Sequence, residues 1–141
     1  MLAALIREAF EEYRGQLDPP SSAHGKTVEA VLRELQDGGA FLASSDTGAQ
    51  GCVFFHPRAD HMYLDRLAVL PAFRGRGVAR ALVEAVENRA RQLGHTRVRL
   101  SVRLALKDHH VYYRRLGYQH HDYGTHSGYA APTFVILEKV L

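Results

Sequence analysis

The chain is predicted to fold as one mixed α/β domain, a mostly antiparallel sheet flanked by helices. Three features carry that expectation. Two amphipathic stretches at the N-terminus repeat with helical period, short apolar runs beyond residue 40 have the length and alternation of strands, and two further helical stretches lie between those runs. With 141 residues, 46% of them hydrophobic, the chain can bury one core and has no room for a second domain, so residues 1–141 are read as a single domain.

Leu2, Leu5, Ile6, Ala9 and Phe10 recur at helical spacing with Arg7, Glu8, Glu11 and Glu12 opposite, which predicts a helix over 2–14 ended by Gly15. Asp18-Pro19-Pro20-Ser21-Ser22 makes 16–25 a loop. Val28, Val31, Leu32 and Leu35 predict a second helix over 27–36, capped by Thr27 and stopped by Asp37-Gly38-Gly39. Runs at 40–43 and 51–55, separated by Ser44-Ser45-Asp46-Thr47-Gly48, read as a β-hairpin.

A turn over 56–60 leads into a strand over 61–70. The next helix, 77–93, is expected to bury Val78, Leu82, Ala85, Val86, Ala90 and Leu93 and to pair Glu87 with Arg91 on its outer face, with Gly94 closing it. Val98, Leu100 and Val102 alternate with Arg97, Arg99 and Arg103, a strand whose arginines face solvent. Asp108 is a candidate cap for a short helix reaching about Leu116, with Gly117 beyond it. Strands over 118–123 and 133–141 then flank a loop that contains Gly124, His126, Gly128 and Pro132.

Composition narrows the function classes. The formal charge of +3 and pI near 9.2 come from 15 arginines and three lysines against 15 acids. That excess suits an anionic ligand and falls short of the basic stripe of a dedicated nucleic-acid binder. A single cysteine, Cys52, excludes an internal disulfide and favours a reducing, cytoplasmic setting. Residues 1–10 do not have the layout of a signal peptide, and no apolar run approaches the ~20 residues that span a bilayer, so neither export nor a membrane partner is expected. Nine histidines invite a metal, yet no His-x-x-x-His pair or cysteine cluster supports one, and no metal site is expected.

The chemistry points to residues 65–83, where an apolar strand meets a proline turn and then Arg74-Gly75-Arg76-Gly77-Val78-Ala79 opens into a helix. The first turn of a helix leaves about four N–H groups without intrahelical acceptors, and the macrodipole adds roughly half a positive charge there. At Gly75 and Gly77 no Cβ holds a ligand off the backbone, and Arg74 and Arg76 bring forked donors suited to phosphate. The expectation is a diphosphate cradle. It is not a Walker loop, which needs Lys-Ser or Lys-Thr where Val78-Ala79 stands. Nor is it a dinucleotide fingerprint, which needs a small residue at Arg80 and an acid about twenty residues on.

With Leu67-Ala68-Val69 and Pro71 ahead of it, this segment resembles motif A of the GNAT N-acetyltransferases, Gln/Arg-x-x-Gly-x-Gly/Ala, with Arg74, Gly77 and Ala79 at the defining positions. Tyr112-Tyr113-Arg114-Arg115-Leu116-Gly117-Tyr118 resembles the family's later helix, Leu-Tyr-x-x-x-Gly-Phe. The resemblance covers most of the chain and implies the family's acyl-CoA N-acyltransferase fold. That fold normally has a strand ahead of the first helix, which here is expected to be missing or very short.

The resemblance further implies that residues 74–79 (Arg74, Gly75, Arg76, Gly77, Val78, Ala79) hold the pyrophosphate of acetyl-CoA, and that Leu67, Ala68 and Val69 pair with the pantetheine arm. The Leu67 N–H would then face the thioester oxygen, and Tyr113 would protonate the departing thiolate. Leu106 stands where many relatives carry an asparagine that contacts the arm, and His109, one turn before Tyr113, joins the cofactor-binding set. Tyr112 is expected in the core. Regular alternation places Tyr63, Asp65 and Leu67 on one strand face, and since Tyr63 stands where relatives often carry a carboxylate, Asp65 is the candidate general base. His126 and Tyr129 read either as surface residues or as part of the acceptor pocket.

The implied function is transfer of an acetyl group from acetyl-CoA to a primary amine of a small molecule or peptide. The implied partners are therefore acetyl-CoA and an amine acceptor, with a homodimer left open. A CoA-binding module without transfer activity is the alternative.

Overall fold

The computed structural model describes residues 2–141, with every side chain among them except that of Tyr13. Helix α1 (Leu2–Phe10) is shorter than its apolar period suggests, because the chain tightens into a 3₁₀ turn at Glu11–Tyr13. A second 3₁₀ turn, Ser22–Gly25, interrupts the loop before α2 (Val28–Asp37), where the Thr27 hydroxyl accepts from the Ala30 N–H as the expected cap. The hairpin is β1 (Gly39–Ser45) and β2 (Gly48–Pro57).

The remaining elements are β3 (Met62–Val69), α3 (Val78–Gln92), β4 (Arg97–Arg103), α4 (Lys107–Arg115), β5 (Gln119–Gly124) and β6 (Phe134–Val140). The strands form one sheet in the order β1-β2-β3-β4-β6-β5, antiparallel at every junction except the parallel β3–β4 pair. The first strand among the described residues thus follows two helices. No described helix is long and apolar enough to cross a membrane.

Helices cover both faces of the sheet, which is why residues 51–56 are buried without alternation. On one side Leu5, Ile6 and Ala9 of α1 and Val31 of α2 pack on Cys52, Phe54 and Ala68. On the other, Leu82, Val83, Val86 and Ala90 of α3 pack on Val53, Leu64, Val98 and Leu100. Leu93, expected in this core, is exposed instead.

Three local expectations give way to tertiary contacts. Glu87 does not pair with Arg91 on the outer face of α3; it is buried, accepting the Tyr118 hydroxyl at 2.8 Å and the Lys139 ammonium at 3.2 Å, while Arg91 bonds Asn88. Asp108 lies in the first turn of α4 and makes no cap; the cap position is Leu106. The third change is at the centre of the sheet. Phe54 stands opposite Asp65 and Cys52 opposite Ala68, so β3 carries one residue more than β2 across that interval, a β-bulge at Arg66 and Leu67. Arg66 takes φ +52°, in the left-handed region.

Candidate active site

The bulge decides which way β3 points its side chains. Met62 and Leu64 face the α3 side, and past the bulge so do Leu67 and Val69, while Ala68 faces α1. The predicted face shared by Tyr63, Asp65 and Leu67 is therefore not formed: the extra residue turns Leu67 to the opposite side.

The bulge also exposes backbone. β3 is in register with β4 only at Met62–Val98 and Tyr63–Arg99, after which the two strands separate. Arg66 and Leu67 consequently have no opposite residue on β2 or on β4. The wedge between the strands is a cavity of about 630 Å³, bounded by residues 63–69 on one wall and 100–103 on the other.

A second cavity of about 510 Å³ continues from it, sharing Val69, Arg74, Ala79 and Tyr112, and opens between α3 and α4. Gly75, Gly77 and Val78 line its mouth. Gly75 and Gly77 have φ of +76° and +82°, and a Cβ on either would meet open space, so it is the backbone conformation that calls for glycine there. The first bond into α3 is Ala81 N–H to Gly77 O at 3.0 Å. The N–H groups of residues 75–80 have no backbone or side-chain acceptor among the described residues, and they lead into the positive end of a 15-residue helix. Arg115 of α4, with no carboxylate partner among the described residues, and Lys139 line the far wall.

The two arginines of the motif behave differently from expectation. Arg74 was expected to offer its guanidinium to phosphate, but Nε donates to Val69 O at 3.0 Å, Nη2 donates to Ala9 O at 3.0 Å and Nη1 pairs with Glu12. Even its amide is used, donating to Pro71 O at 3.3 Å. Arg74 ties the loop to the end of β3 and to α1. The Arg76 guanidinium lies 5.8 Å from the centre of the Phe73 ring and borders neither cavity.

Tyr113, Leu106 and His109 all line the first cavity. Tyr113 is 8% exposed, its ring edge-on to Tyr112 at 5.5 Å and Tyr118 at 5.9 Å. Tyr112, expected in the core, is half-buried and borders both cavities. Burial holds the His109 imidazole below its ordinary pKa, which favours the neutral ring.

Asp65 lines the cavity, with one carboxylate oxygen accepting the Arg66 N–H at 2.9 Å and the other 3.8 Å from Nε2 of buried His56. Glu34, His56 and Asp65 bring ligand atoms within 4.8 Å of one another, but the buried Lys26 ammonium is already paired with Glu34, so a cation stands in that group. Tyr63 donates to Ser101 Oγ at 2.7 Å across the wedge, and burial raises its phenol pKa.

Two lining residues carried no signal in the sequence: Arg103, read as solvent-facing, is half-buried at the cavity, and Arg66 joins it there, beside Ser22 and the loop residue His126. Only the bulge and the folding of residues 17–22 over the sheet bring them together. Arg97 and Arg99, the other two arginines of β4, pair with Glu138 at 2.7 Å each.

Comparison with known proteins agrees with this architecture. The family model described as Acetyltransferase (GNAT) family matches residues 2–118, and the chain belongs to that family. Over 65 residues it is 35% identical to the uncharacterized N-acetyltransferase YjgM of Escherichia coli (strain K12), a match spanning 46% of this chain and 39% of that relative. The PaiA N-acetyltransferase of Thermoplasma acidophilum, solved in complex with coenzyme A, superposes with a TM-score of 0.80 at 21% identity, covering 99% of this chain and 91% of that one. A GNAT family acetyltransferase from Elizabethkingia anophelis with acetyl-CoA bound gives 0.68 at 16% identity, over 82% and 84% of the two chains. At these identities the structural likeness is one of fold.

Proposed function

We propose that this protein is an N-acetyltransferase that moves the acetyl group of acetyl-CoA onto a primary amine by direct attack. The observation that carries the reading is continuity: the unclaimed N–H groups of residues 75–80 open into a cavity that joins the β3–β4 wedge holding Leu67 and Tyr113. Acetyl-CoA is a substrate here, consumed at each turn. Its diphosphate suits the cradle, where backbone donors and the helix dipole meet anionic oxygens, and Arg115 adds charge from the opposite wall. Its pantetheine arm suits the unpaired edge of β3 at Leu67, Ala68 and Val69.

In the reaction the amine lone pair attacks the thioester carbon and the N–C bond forms. The carbonyl oxygen gains negative charge, which the Leu67 N–H steadies; a donor so placed is worth about 3 kcal/mol. The C–S bond then breaks and the thiolate takes the Tyr113 phenol proton, while the proton lost by nitrogen goes to Asp65, directly or through a water. Both groups re-equilibrate with solvent. A covalent acyl-enzyme has no support, because Cys52 is fully buried and burial pushes its thiol pKa up to about 12.

Titration calorimetry with acetyl-CoA, set beside thiol release over a panel of primary amines, tests the reading. Binding together with release is expected. Tight binding without release from any amine would leave a CoA-binding module, and no binding would remove the cradle itself.

A further inference from the structure

The acceptor end of the wedge has an electrostatic character of its own. Arg66 and Arg103 project into it from β3 and β4, and residues 17–22 fold over them: Arg66 Nη2 bonds Ser22 Oγ, and Arg103 donates to Pro19 O at 2.6 Å and Pro20 O at 3.4 Å. These are neutral acceptors. Neither guanidinium has a carboxylate partner among the described residues, whereas Arg58, Arg74, Arg97 and Arg99 each have one. The Arg66 Nε is buried with no hydrogen-bond partner.

The local field is positive on two counts. Burial, and then the charge of Arg66, pull the Arg103 guanidinium below its usual pKa, with Tyr129 and Asp18 opposing the shift. His126, on the loop across the cavity, is lowered by its own burial and then by Arg103. Two acids stand nearby: Asp65, whose oxygens are turned to the Arg66 backbone N–H and to His56, and Asp18, whose charge acts on Arg103 while its Oδ1 accepts the Tyr129 hydroxyl. Two half-buried guanidiniums without a counterion leave an anion's place open beside the proposed reaction centre.

The geometry points to an acceptor that carries a carboxylate close to its amine, an amino acid rather than a polyamine or a lysine in a basic peptide. The inference rests on the acyl-transfer reading. Arg66 directly precedes Leu67, so an anion on its guanidinium lies within one arginine side chain of the thioester carbonyl. Amine and acid must therefore sit a few bonds apart. A polyamine would bring further positive charge against the same pair and be repelled.

The test measures kcat/KM by thiol release for alanine, methionine, phenylalanine and glutamate beside their α-carboxamides, with spermidine, ethanolamine and ethanolamine phosphate as further arms. At least one acid is expected to exceed its amide and spermidine by ~10- to 100-fold, the loss that follows when a charged group forfeits its hydrogen bonds. In Arg66→Gln and Arg103→Gln that acid-to-amide ratio should fall toward one through KM for the acid. Because the ratio is taken within each variant, a general loss of activity does not imitate it.

Amides or spermidine used as well as the acids, or a ratio that persists in both variants, would overturn the proposal, and preference for ethanolamine phosphate would overturn the carboxylate assignment. If no amine turns over, the transfer reading fails separately. The anion site is then judged by the Arg66 and Arg103 Nε–H NMR signals during titration with acetate and with the four amino acids: shifts support it and their absence overturns it.

Discussion

Tyr113 has its ring held edge-on between Tyr112 and Tyr118, so removing its hydroxyl subtracts an oxygen and leaves the packing in place. Tyr113→Phe is therefore expected to lower kcat by about 100-fold, the usual scale of a lost general acid, with acetyl-CoA affinity held. Pre-steady-state and calorimetric measurements separate the two, and an unchanged kcat would remove Tyr113 from the mechanism. At Glu138 the same scale governs stability. Burial alone would raise its carboxyl pKa, but hydrogen bonds from Arg99 and Arg97, with the charge of both, outweigh burial and hold it below its ordinary value. Since the folded value is the lower one, its contribution is complete above the unfolded pKa and is lost as pH falls through the folded pKa. Urea midpoints of wild type and Glu138→Gln should differ at neutral pH and converge as the pH falls through the folded pKa, below the ordinary carboxylate range.

At the scale of the element, the start of α3 is the functional unit. Three properties coincide there: glycines with positive φ, N–H groups without acceptors, and the positive end of the helix. Gly77→Glu would force a side chain into the left-handed region at φ +82° and set a carboxylate among the donors proposed to hold phosphate. Calorimetry should find acetyl-CoA binding abolished while the far-ultraviolet circular dichroism of the fold is retained. Binding at wild-type affinity would show that the diphosphate lies elsewhere. Arg74 serves this element indirectly, because its guanidinium fixes the loop to β3 and α1.

For the whole molecule, the weak point of the sheet and the place proposed for acetyl-CoA coincide. β3 and β4 are joined over only two residue pairs before they separate. A ligand that spans the wedge and bonds the loose β3 edge favours the folded state alone, so acetyl-CoA at a hundredfold excess over its Kd should stabilise the protein by about 2.7 kcal/mol. Amide exchange should slow at residues 67–69 and 75–80. Denaturant unfolding with and without acetyl-CoA measures the first effect and exchange mass spectrometry the second; equal midpoints would mean that the wedge does not take the substrate.

Sequence alone determined the order of the elements, the hairpin, the Thr27 cap and the glycine-rich entry to α3, because each depends on periodicity or turn chemistry within a few residues. It also marked Tyr113, which lines the cavity. Tertiary structure decided what depends on distant partners. The regular alternation that put Leu67 beside Asp65 presumed an unbroken strand, and the bulge at Arg66 reversed it. Helical spacing put Glu87 on the surface, whereas Tyr118 and Lys139, from later parts of the chain, hold it in the core. The loop from α1 to α2 meets Arg66 and Arg103 across 44 and 84 residues of chain, so their shared, uncompensated charge has no counterpart in any short stretch of sequence.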